Sequence, residues 1–125
     1  MPAFSVQQID HVEVMVGDMK AAAKWYNQVL GLRETHSWDP EPTFMELNGT
    51  SLALFQAKGP RAAATAGAHW HRVAWRTDKS GFEAAQQHLR DLGITFRGPI
   101  DHQIAFSIYF EDPDGNLLEI TQYVK

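Results

Sequence analysis

The chain has 125 residues, 44% of them apolar and 21% charged, with no cysteine and a net charge of −4 with histidine neutral. That length gives one compact domain, or two very small units sharing a core, and the composition argues against wholesale disorder. The missing cysteine removes disulfides, thiolate metal sites and a cysteine nucleophile, and the acidic balance argues against a general nucleic-acid binder.

No apolar run approaches the ~20 residues of a membrane span. Met1 to Asp10 lacks the charged and apolar segments of a secretion signal. The expectation is a cytoplasmic protein that acts on small molecules, with neither nucleic acid nor membrane as a partner.

Along the chain, Ile9 to Val16 alternates, with Val12, Val14 and Val16 on one side and His11, Glu13 and Met15 on the other, which predicts a half-buried strand. Asp18 is placed to cap a helix whose apolar positions are Met19, Ala22, Ala23, Tyr26 and Val29 or Leu30, and Gly31 ends it. Leu32 to Trp38, Thr43 to Leu47 and Ser51 to Phe55 predict three further strands, with Asn48-Gly49 as a tight hairpin turn. The Ala- and Gly-rich stretch from Ala57 to Ala68 has no clear period and reads as a linker. The pattern then restarts. His71 to Thr77 predicts a strand, and Phe82, Ala85, Leu89 and Leu92 a helix closed by Gly93. Ile94 to Phe96, Ile104 to Phe110 and Asn116 to Tyr123 predict the last strands, the final pair joined at Asp112-Pro113-Asp114-Gly115.

This is an internal repeat. Leu30-Gly31-Leu32 answers Leu92-Gly93-Ile94, and Asn48-Gly49 with Leu52-Ala53-Leu54 answers Asp114-Gly115 with Leu118-Glu119-Ile120. Each half reads strand, helix, strand, strand, strand: a sheet with a helix on one face and a bare concave face on the other.

Both halves resemble the βαβββ modules of the vicinal oxygen chelate superfamily, which includes glyoxalase I, bleomycin resistance proteins, fosfomycin resistance enzymes and extradiol dioxygenases. The resemblance rests on Ile9-Asp10-His11-Val12, on Trp25-Tyr26 to Leu30-Gly31-Leu32, and on the run from Ser107 to Ile120. It spans Ile9 to Val124. It implies an α+β fold of two βαβββ modules, residues 7–56 and 69–124 joined by a linker at 57–68. They form a single domain whose cupped mixed sheet surrounds a cavity, with the helices outside. It also implies a homodimer.

The chemistry that the resemblance implies is a divalent metal on the concave face, binding two neighbouring substrate oxygens. The corresponding positions here are His11, Ala53, a residue near His71, and Glu119. Ala53 has no donor atom, so what remains is two histidines and a carboxylate, His11, His71 and Glu119, a set that suits Fe, Mn, Zn or Ni. On the second module's first strand, however, alternation sends Arg72, Ala74 and Arg76 to the cavity and His71 to the other face. Arg72-Val73-Ala74-Trp75 also matches the family's ligand-apolar-Ala-aromatic pattern, with arginine in the ligand place. The order His102, Tyr109, Asp112 to Gly115, Glu119 resembles the extradiol dioxygenase signature. It implies Tyr109 and His102 as catalytic residues beside the metal, the phenol donating to a bound oxygen and the imidazole moving the proton.

Two functions stay open. One is a metal-dependent dioxygenase or a glyoxalase-like lyase or transferase, acting on a substrate with adjacent oxygens. The other is a metal-free small-molecule or drug-binding protein similar to the bleomycin resistance proteins, with Arg72 and Trp70 binding the ligand. Structural readings stand beside both: His11 as a satisfied core histidine, Asp112 to Gly115 as turn chemistry, Trp25 and Tyr26 as packing, and His36 and His88 as surface residues.

Overall fold

In the computed structural model, which describes residues 3–57 and 71–124, the valine alternation becomes strand β1 (His11–Val16), with Val14 and Val16 buried and Glu13 and Met15 exposed. Asp18 caps α1 (Met19–Leu30) by accepting the Ala21 amide at 3.1 Å, and Gly31 closes it in the left-handed conformation at φ 74°. β2 (Arg33–Ser37), β3 (Thr43–Leu47) and β4 (Thr50–Gln56) follow. Between β3 and β4, Asn48 and Gly49 take positive φ of 51° and 87°, which a two-residue hairpin turn needs to match the twist of its strands.

The strand order is β1-β4-β3-β2, with β1 parallel to β4 and the other pairs antiparallel. The single parallel pair follows from the α1 crossover between β1 and the rest of the sheet. Packing α1 on β3 and β4 buries Tyr26, Met45, Leu52 and Leu54 with Val16. Each such side chain contributes about 1.5–3 kcal/mol of transfer free energy.

The second unit repeats this plan with β5 (Val73–Arg76), α2 (Lys79–Asp91), β6 (Arg97–Asp101), β7 (Ala105–Glu111) and β8 (Leu117–Tyr123), ordered β5-β8-β7-β6. Asp78 caps α2 by accepting the Gly81 amide at 2.8 Å. Phe82 and Leu89 bury the helix against the sheet face carrying Ile108, Phe110, Leu118 and Ile120. The two units are residues Met1–Ala57 and Lys58–Lys125, and the fold is α+β with two four-stranded mixed sheets and two helices.

Three strands start two or more residues away from the sequence reading. β1 begins at His11 rather than Ile9, and β5 keeps only Val73–Arg76 of the expected His71 to Thr77. The strand expected at Ile94 to Phe96 begins instead at Arg97. The helix cap is still closing at Ile94, whose amide donates to the Leu89 carbonyl at 2.8 Å. Gly98-Pro99, which reads as a turn in sequence, sits in the edge strand β6, where a register shift between Arg97 and Ile100 accommodates a residue without an N–H. The expected linker beyond Ala57, and Trp70, lie outside the described residues. Among the described residues, no helix is long and apolar enough to cross a membrane.

Candidate functional site

The β7–β8 register sets Tyr109 opposite Glu119 and Ser107 opposite Thr121, and β5 on the far side of β8 sets Ala74 beside Glu119. Since successive side chains alternate, these residues share the face turned away from α2. Ser107, almost fully buried, donates its hydroxyl to Glu119 Oε2 at 2.7 Å and lies 3.0 Å from Thr121 Oγ1. A half-buried carboxylate is thereby held by a hydroxyl of its own sheet.

Tyr109 is the centre of the arrangement. Its hydroxyl lies 2.7 Å from His102 Nε2. The guanidinium carbons of Arg72 and Arg97 lie 4.6 Å and 5.1 Å from its ring centroid, within the range of cation–π attraction. A cavity of about 470 Å³ opens here, lined by both arginines, Tyr109, Glu111 and the apolar Phe96, Phe110 and Leu117.

In the first unit the corresponding face carries aromatic rings. Trp38 stacks on His36 with centroids 5.4 Å apart and meets Phe44 edge-on at 5.1 Å, and His11 lies 5.0 Å from Phe44. His11, Trp38, Glu41, Phe44 and Phe55 line a cavity of about 460 Å³. Both ring nitrogens of His11 face carboxylates: Nδ1 lies 2.8 Å from Asp10 Oδ2 and Nε2 3.3 Å from Glu13 Oε2. Hydrogen bonds to Asp10 first and Glu13 second raise its pKa above the ordinary 6.5.

Register identifies the repeat counterparts. Glu13 pairs with Ala53 across β1 and β4, and Ala74 pairs with Glu119 across β5 and β8. His11 stands two residues before Glu13, and Arg72 two before Ala74. The four equivalent positions are therefore His11, Ala53, Arg72 and Glu119. His71, expected as the second imidazole ligand, is exposed and, like Arg72, precedes β5, one residue out of phase with Arg72.

These positions do not fit a metal. Ala53 has no donor, Arg72 brings a fixed cation, and both His11 nitrogens are engaged with carboxylates. Within either unit, no three His, Asp or Glu side chains of the described residues converge as a ligand set.

Of the expected site residues, the second unit brings Tyr109 and His102 into contact, with Arg72 on the same ring. Glu119 is the cross-strand neighbour of Tyr109. Sequence reasoning missed Arg97 and Ser107. The alternation of Ser107, Tyr109 and Glu111 along β7 was a usable signal for the serine. Arg97 was hidden by placing its strand three residues early.

Comparison with known proteins agrees with this architecture. The sequence profile of the Glyoxalase/Bleomycin resistance protein/Dioxygenase superfamily matches residues 8–120. The chain is 29% identical over 119 residues to biphenyl-2,3-diol 1,2-dioxygenase 3 of Rhodococcus globerulus, covering 90% of this chain and 62% of the dioxygenase. It is 30% identical over 117 residues to metallothiol transferase FosB of Staphylococcus saprophyticus subsp. saprophyticus, covering 92% of this chain and 76% of the transferase. It spans about three-fifths of the length of the two Rhodococcus dioxygenases it matches. The crystal structure of a glyoxalase/dioxygenase from Nostoc punctiforme shares the fold with a TM-score of 0.78 at 23% identity, covering 100% of this chain and 97% of that one.

Proposed function

The chain belongs to the Glyoxalase/Bleomycin resistance protein/Dioxygenase superfamily, and we propose that it binds a small organic molecule on the concave face of its second module without a metal ion. The observation that carries this reading is Arg72. It is the repeat counterpart of His11, its guanidinium is 4.6 Å from the Tyr109 ring, and it lines the same cavity as Tyr109. A permanent cation at that position opposes a divalent ion and suits an acceptor-bearing ligand. The cavity beside it, about 470 Å³ with an apolar wall, is of a size that encloses a drug-sized molecule. In needing no metal, this reading is similar to the bleomycin resistance proteins. As in that group, the working unit of the proposal is a homodimer.

A second reading is the metal-dependent enzyme, a dioxygenase or a lyase or transferase, with His11, His71 and Glu119 as ligands to Fe, Mn, Zn or Ni and Tyr109 and His102 as the catalytic pair. The 2.7 Å contact between the Tyr109 hydroxyl and His102 Nε2 favours it, because such a pair passes a proton along one hydrogen bond. So do the names of the relatives, which include dioxygenases and a metallothiol transferase.

Elemental analysis of protein grown in metal-replete medium, followed by calorimetric titration with Mn²⁺, Fe²⁺, Zn²⁺ and Ni²⁺, separates the two. The proposal expects far less than one equivalent of metal per chain and no saturable heat. One tightly held equivalent that is lost on His11→Ala or Glu119→Gln overturns it.

A further inference from the structure

We infer that the ligand of the second-module cavity is an organic carboxylate on a planar apolar body, held by Arg72 and Arg97. This inference rests on the proposed metal-independent binding and names its ligand class. The two guanidinium groups approach one ring, that of Tyr109, with their carbons 4.6 Å and 5.1 Å from its centroid, and both side chains line the one cavity.

Among the described residues no carboxylate comes within ion-pair distance of either. The ion pairs present join His11 to Asp10 and Glu13, and Arg33 to Glu46 at 3.5 Å. Glu111 also lines the cavity and pairs with neither arginine, while Glu119 turns its Oε2 to Ser107. A third arginine, Arg90, stacks on the wall residue Phe96 at 5.3 Å. The sequence contains six arginines and carries a net charge of −4, so two arginines lining one cavity run against its overall charge.

The rest of the cavity sets the ligand's body. Phe96, Phe110 and Leu117 supply an apolar wall, and about 470 Å³ accommodates one or two rings. The lining therefore asks for an oxyanion to accept charge-assisted hydrogen bonds from the guanidinium groups and a flat apolar portion to lie on the wall. An amide of the same shape offers one neutral acceptor to two cations and displaces their hydration without replacing it.

The test is calorimetric titration of the intact chain with 2-naphthoate and with 2-naphthamide, in the presence of EDTA, repeated on Arg72→Gln, Arg97→Gln and Arg76→Gln. Arg72, Arg97 and Arg76 are all exposed, and far-UV circular dichroism verifies that each variant folds. Arg76 stacks on Tyr123 at 4.6 Å and does not line the cavity, so it controls for net charge. The naphthoate binds about tenfold or more tighter than the amide, and loses that advantage in Arg72→Gln and in Arg97→Gln but not in Arg76→Gln. Equal affinity for naphthoate and naphthamide overturns the inference. So does a loss in Arg76→Gln matching that in Arg72→Gln, or no saturable naphthoate binding at millimolar concentration. If instead EDTA abolishes naphthoate binding and added Mn²⁺ restores it, the metal-independent reading itself falls. EDTA-insensitive binding that ignores the carboxylate removes the ligand class alone.

Discussion

Asp112 offers the sharpest test of how the second module holds its site, because the turn that it organises fixes the β7–β8 register and hence Tyr109 opposite Glu119. Its side chain is 5% exposed. Oδ1 accepts the amides of Asp114 at 2.9 Å and Asn116 at 2.8 Å, and Oδ2 accepts Asn116 Nδ2 at 2.7 Å. Asp112→Ala removes three charge-assisted hydrogen bonds and leaves the amide of Asn116, itself 3% exposed, without its partner. Each such hydrogen bond contributes about 1.5–3 kcal/mol, and the ionised carboxylate's own desolvation offsets part of the sum, so the net loss is about 2–4 kcal/mol.

Asp112→Asn keeps one oxygen for the two backbone amides and loses only the contact to the Asn116 side chain, at a cost of about 1 kcal/mol. Urea unfolding followed by circular dichroism measures both. With a slope of about 2 kcal/mol/M, the alanine variant's midpoint falls by about 1–2 M and the asparagine variant's by about 0.5 M. An alanine variant within about 0.5 kcal/mol of the parent, or an asparagine variant no better than alanine, refutes the assignment of the turn's stability to these three bonds.

Two further predictions probe the remaining supports of the two faces. Gly98 sits at φ 107°, and a Cβ there would meet the Ser107 carbonyl oxygen at 2.6 Å. Gly98→Ala therefore costs more than about 2 kcal/mol in urea unfolding and shifts the amide resonances of Ser107, and a variant as stable as the parent sinks that account. The His11 pKa, raised by Asp10 and then Glu13, lies above 6.5 when followed by proton NMR through a pH titration, and Asp10→Asn lowers it. A group whose folded pKa is raised adds stability that is fully present below the unfolded value and is lost as pH rises through the folded one. His11 thus stabilises the first module on the acid side of neutrality, and a wild-type pKa at or below 6.5 contradicts the two hydrogen bonds.

The fold was legible because its signals are local and repeated. The Val12–Val14–Val16 alternation, the Asp18 and Asp78 caps, and the Asn48-Gly49 turn each act within a few residues, and their recurrence exposed the two-module plan. The site was legible only in part. His102 and Tyr109 were paired from their order in the chain, and they meet. Arg97 lies just past the strand expected at Ile94 to Phe96, and the edge position of β6 is what lets Gly98-Pro99 sit inside the observed strand. Ser107 looks like an ordinary strand residue until the cross-strand register sets it beside the carboxylate of Glu119.

The choice between His71 and Arg72 shows why a site is harder to read than a fold. Hydrophobic periodicity tolerates a one-residue ambiguity at a strand's start, because the ladder is set by the residues that follow. Chemistry does not, since a slip of one residue exchanges an imidazole for a guanidinium on the same face. The sequence holds both residues side by side. The phase comes from partners elsewhere in the chain: Ala74 beside Glu119 in one module and Glu13 beside Ala53 in the other. With that phase, Ala53 and Arg72 stand at two of the four repeat-equivalent positions. Restoring a donor at Ala53 is constrained as well, because that side chain is 0% exposed, and a carboxylate placed there would be desolvated and overpacked. The first module's substitution is thus fixed by packing. Arg72 is exposed and lies over the Tyr109 ring, so in the proposed site it is the second module's position that meets the ligand.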